Sequence, residues 1–152
     1  MKKNSGYTLI ELLVGMTIIT VVFTVGIAGF RSFSRRQALT GVVKSVISDL
    51  RSSQQFALTG QKPTGNCPLL NGYSFKITSS ATYQILANCD PDIVTKTVNL
   101  PSGISINPNL STVQFKELGQ GTNLTESLVL TLTNSVAGIT NFVTIGTGGN
   151  IE

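Results

Sequence analysis

The chain has 152 residues, of which 41% are apolar and only 12% charged, about half the charged share usual in a soluble domain. Its 11 Lys and Arg against 7 Asp and Glu give a net charge of +4, too small and too dispersed for a polybasic nucleic-acid binder. Histidine is absent and there are two cysteines, which excludes His-based triads, His-ligated zinc and four-cysteine zinc sites but leaves room for one disulfide.

Lys2, Lys3, Asn4, Ser5 and Gly6 precede a greasy segment. Residues 7–30 read YTLIELLVGMTIITVVFTVGIAGF, in which Glu11 is the one ionisable side chain besides the Tyr7 phenol. Residues 12–30 form an uncharged run of 19, which as a helix rises about 28 Å, close to one hydrocarbon core. A cleavable secretory signal has a shorter apolar stretch followed by small residues; here Arg31, Arg35 and Arg36 follow instead. A carboxylate in an apolar helix is costly and is usually partnered. Two roles are open for Glu11: a first-turn contact with the helix dipole, or neutralisation by a cation.

The block Lys-Lys-Asn-Ser-Gly6 followed by Tyr7-Thr8-Leu9-Ile10-Glu11-Leu12-Leu13-Val14 resembles the leader and N-terminal helix of type IV prepilins and type II secretion pseudopilins. The resemblance covers residues 2–36. It implies that a membrane-embedded aspartyl peptidase cuts after Gly6 and methylates the new amino terminus at Tyr7, where most members carry Phe. It implies that Glu11 serves assembly, neutralising the Tyr7 amine of a neighbouring subunit within a low-dielectric bundle and setting an axial register. Spacing leaves an intrachain pair from Tyr7 to Glu11 equally open. Many members have a mid-helix proline; this chain has Gly26 and Gly29, which soften a helix without forcing a kink.

The same resemblance implies a single-pass protein of the inner membrane, N-terminus inside, with the bulk of the chain exported and later carried in a filament. The charge bias does not supply this orientation, because two lysines precede the span and three arginines follow it. The implied partners are the prepilin peptidase/methylase, other pilin or pseudopilin subunits and inner-membrane lipid.

Beyond Arg36 the pattern becomes one-sided. Leu39, Val42, Val43, Val46, Ile47 and Leu50 recur at helical spacing, with Lys44, Ser45, Ser48, Asp49, Arg51 and Ser52 assigned to the other face. Ala57 and Leu58 extend the apolar side until Gly60, with Pro63 beyond it. One helix of about fifty residues, roughly 80 Å, is expected. Its apolar half would span the membrane and its amphipathic half would dock on a head.

After Gly60 the composition shifts to Thr, Ser, Asn, Gly and Val. Tyr73-Ser-Phe-Lys-Ile77 and Tyr83-Gln-Ile85 alternate like strands, and residues 93–100, 112–117, 127–133 and 141–145 add more, with turns at Asn71-Gly72, Pro101-Ser-Gly103, Gly119-Gln-Gly121 and Ala137-Gly138. The expected fold is α+β, a long N-terminal helix packed on a β-sheet head. Its parts are a leader at 1–6, a transmembrane helix at 7–30, an amphipathic stalk at 31–59 and the head at 60–152.

Cys67 and Cys89 sit in turn-like contexts and are expected to bridge in an exported head, two buried thiols being the alternative. Asp90 and Asp92 could offer oxygens to calcium, but two carboxylates two apart are the ordinary composition of a solvated turn, so no metal is assigned. No nucleophile has an activating neighbour, so no catalytic residue and no cofactor is assigned. The rhythm of Val98-Asn-Leu-Pro-Ser-Gly-Ile-Ser-Ile106 and Val113-Gln-Phe115 resembles the H-type minor pseudopilins and the minor pilins implicated in DNA uptake, which implies two sheets beside the helix. A DNA-binding role is the alternative function. The head speaks against it, with four lysines opposed by five carboxylates over residues 60–152.

Overall fold

The computed structural model describes residues 8–108 and 111–152; the expected leader, including Gly6, and Tyr7 lie outside them. Helix α1 runs from Leu9 to Thr59. No proline interrupts it, and a Cβ added at Gly15, Gly26, Gly29 or Gly41 would meet nothing within 4 Å, so no contact inside the chain requires these glycines. The helix stops at Gly60, whose φ of +62° suits a residue without Cβ. There the Gly60 N–H donates to the Ala57 carbonyl at 3.3 Å and the Gln61 N–H to that of Phe56 at 3.1 Å, the paired bonds of a Schellman cap. The chain divides into two compact units, Met1–Arg35 and Arg36–Glu152.

Among its described residues the second unit holds the rest of α1 and seven strands: β1 Tyr73–Ser79, β2 Thr82–Ala87, β3 Ile93–Asn99, β4 Ile104–Asn107, β5 Thr112–Phe115, β6 Leu128–Asn134 and β7 Ile139–Ile145. They form two antiparallel sheets, ordered β3-β2-β1-β5 and β4-β6-β7. The α+β architecture is therefore as expected, with two sheets as the resemblance implied. Strand β4 is the one element the strand pattern had not marked. Ile104-Ser-Ile106 alternates as Tyr83-Gln-Ile85 does, but directly behind the Pro101-Ser-Gly103 turn it reads as part of the connection.

Period-two alternation decides which side chains turn inward. Phe75 faces Ile85 on β2 and Val113 on β5, and Tyr73 faces Ala87 and Phe115. On the second sheet Leu132 faces Ile106 and Leu130 faces Val143. All are buried, and they form one core with Leu39, Val46, Leu50 and Ala57 of α1. The sheets are joined where the Ile106 N–H donates to the Ser80 carbonyl at 2.8 Å. Leu58, expected on the apolar side, is 43% exposed instead; one residue past Ala57, it is rotated about 100° away from the core.

Glycine is obligatory at one close approach. Gly72 has φ +113°, and a Cβ there would run into the Phe115 carbonyl oxygen. The turn expected at Asn71-Gly72 thus lets β1 enter beside β5. Cys67 and Cys89 are joined in a disulfide, Cα atoms 5.4 Å apart. Across 22 residues of separation the loop-entropy model gives such a bridge about 3 kcal/mol.

Candidate functional site

In the first unit, Thr8 stands just ahead of the helix and caps it. The Glu11 N–H donates to Thr8 Oγ1 at 3.3 Å, and the Leu12 N–H to the Thr8 carbonyl at 3.2 Å. Thr8-Leu-Ile-Glu11 has the Thr-x-x-Glu spacing of a capping box, a local signal for the helix start beyond the first-turn dipole contact already open to Glu11. Glu11 therefore sits in the first turn of α1.

Downstream, the apolar side chains are uncovered. Leu9, Phe23 and Phe30 are 83%, 66% and 71% exposed, and the apolar span is long enough to cross a membrane by length and composition. Its hydroxyls need no partner from outside: Thr17, Thr20 and Thr24 each donate to the carbonyl three or four residues back at 2.8 Å. That self-satisfaction makes a threonine-containing helix tolerable in hydrocarbon, where an unmet polar group is costly. Water does not favour such a surface; lipid or other apolar helices do.

The second unit contains a buried charge that sequence placed wrongly. Asp49, assigned to the solvent face of α1, is 7% exposed. Its carboxylate accepts from the Tyr83 hydroxyl at 2.8 Å and from Lys96 Nζ at 2.7 and 2.9 Å. Position 49 lies three residues after Val46 and one before Leu50, at the margin of the buried stripe. The partners that make burial possible come from β2 and β3, thirty-four and forty-seven residues away. A helical pattern cannot reveal them.

Tyr83 is fully enclosed and stacked on Phe75, centroids 4.7 Å apart. Burial, then the hydrogen bond to Asp49 and the charge of that carboxylate, push its phenol far above the usual value. Burial also raises the phenol of Tyr73. A raised native pKa means that the unfolded chain releases its proton first, from about pH 10. The stability tied to Tyr83 is complete below that pH and is lost as pH climbs toward the native value. Wild type is expected to exceed Tyr83→Phe by about 2 kcal/mol near pH 8, with the gap closing above pH 10. Urea unfolding from pH 8 to 11 measures it; a gap independent of pH would refute the account.

The loop between β2 and β3 carries Asp90 and Asp92, both exposed. Asn88 Nδ2 donates to Asp92 Oδ1 at 3.4 Å, and no group of three metal-ligating side chains exists among the described residues.

Residues 1–27 match the family model described as the prokaryotic N-terminal methylation motif. No curated protein and no solved structure matches the chain.

Proposed function

We propose that this chain, which carries the prokaryotic N-terminal methylation motif, is a structural subunit of a type IV pilus or a type II secretion pseudopilus. The motif supports a pilin- or pseudopilin-like precursor and belongs to structural rather than enzymatic proteins. In this reading residues 1–6 are the leader, cleaved after Gly6, and Tyr7 becomes the methylated N-terminus. Residues 7–30 hold the subunit in the inner membrane, residues 31–59 form the stalk, and the head at 60–152 is exported. The observation that carries the proposal is the joint presence of the matched motif and an uncovered apolar helix with one carboxylate in its first turn.

The two-sheet head supports the finer reading of a minor subunit of the H type. The alternative, a DNA-binding minor pilin, is opposed by the excess of carboxylates over lysines in the head.

Processing tests the proposal. Intact-mass analysis from a host with the peptidase is expected to show loss of residues 1–6 and one methyl group on Tyr7, with a bulky residue at Gly6 leaving the precursor uncut. A mature chain that begins at Met1 would overturn it.

A further inference from the structure

The exposed side of α1 in the second unit carries a positive stripe. Lys44, Ser48, Arg51 and Gln55 recur at i, i+4, i+7 and i+11, one stripe of a helix. With Ile47 and Phe56 they line an open groove of about 560 Å³. Lys44 and Arg51 are exposed. The acidic residue nearest to them on the helix, Asp49, is taken up by Lys96 at 2.7 Å. Among the described residues neither Lys44 nor Arg51 has an anionic partner.

The opposite feature sits on the same unit. Asp90 and Asp92 project from a loop that is held at several points. Cys89 is bridged to Cys67. The Asn71 N–H donates to the Asn88 carbonyl at 2.8 Å, and the Asn88 N–H to that of Gly72 at 2.9 Å. Ser74 Oγ donates to Asn88 Oδ1 at 2.7 Å. Neither carboxylate is within ion-pair distance of a cation among the described residues.

We propose that the Lys44–Arg51 groove receives the disulfide-held Asp90/Asp92 loop of a second copy of this chain, an inference that rests on the filament-subunit reading. Two cations meet two carboxylates over the apolar floor of Ile47 and Phe56. Helix and loop are both ordered beforehand, so little conformational freedom is lost on docking. Repeated in one direction, the groove of each copy taking the loop of the next, the contact is heterologous. Such contacts build rings or, where the rotation does not close, open filaments, whereas a reciprocal exchange of loop and groove closes at two. A filament requires the first kind.

The test uses two full-length variants co-expressed in the host, Ser48→Cys in one copy and, beside the loop with both carboxylates kept, Val94→Cys at an exposed position in the other, treated with a short bismaleimide. A linked dimer at least tenfold above that from either variant alone is expected. Adding Arg51→Glu to the first copy should lower it at least tenfold, and adding Asp92→Lys to the second should restore it. Yields no higher than the single variants, indifference to Arg51→Glu, groove-to-groove dimers from Ser48→Cys alone, or capture of a different protein would each overturn the proposal. The N-terminal peptide is read from the same sample. A chain that has lost residues 1–6 yet gives no link refutes the docking contact alone, whereas one that retains them refutes the filament reading as well.

Discussion

Glu11→Ala is expected to lose its leader as wild type does and then fail to enter filaments, with incorporation down at least tenfold against wild-type subunits in the same cells. In the proposed filament, removing the carboxylate would leave the Tyr7 amine of a neighbour without a counter-charge in a low-dielectric helix bundle, a penalty of roughly several kcal/mol. The competing role is local, since Thr8 and Glu11 flank the helix start and a first-turn carboxylate is worth under about 1 kcal/mol there. Two companions separate the roles. Thr8→Ala removes the cap, about 1 kcal/mol, and is expected to assemble. Glu11→Gln retains the geometry of a capping box but not the charge, and is expected to fail like Glu11→Ala. Normal assembly of Glu11→Gln would leave Glu11 as a capping residue.

A large effect on the head is expected from Lys96→Met, a change on an exposed edge strand. Lys96 is half exposed, but the carboxylate it holds is 10% exposed at the side chain. Without the lysine, Asp49 keeps the Tyr83 hydroxyl and little else. Breaking a fully buried pair costs roughly 3–5 kcal/mol; water at Lys96 reduces this to about 2 kcal/mol. Asp49→Asn removes the charge while leaving an acceptor for Tyr83, and is expected to cost about 1 kcal/mol. The double variant should then cost less than the two single costs combined, since each removes the same interaction. Urea midpoints of the detergent-solubilised full chain measure all three. An unchanged midpoint for Lys96→Met would mean that the ion pair contributes nothing to the head's stability.

Much of this protein is legible along the chain because its signals are local. The uncharged run of residues 12–30, the Lys2-Lys3 block before it and Thr8-Leu-Ile-Glu11 depend on neighbours in sequence. So do the stop at Gly60 and the alternation of Tyr73-Ser-Phe-Lys-Ile77, set by helix and strand periods and by a glycine's access to positive φ. From them follow one long helix, a β-rich head and a candidate disulfide. Tertiary structure decided what periodicity cannot carry. The division of seven strands into sheets ordered β3-β2-β1-β5 and β4-β6-β7 follows from pairings distant in sequence. Strand β4 exists because Leu132 of β6 faces Ile106, not because four residues declare a strand. Asp49 is the clearest case: by composition it is a surface residue, and its burial is acceptable because β2 and β3 bring Tyr83 and Lys96 to it. A buried carboxylate is tolerated only where such partners arrive, and their arrival is a property of the fold.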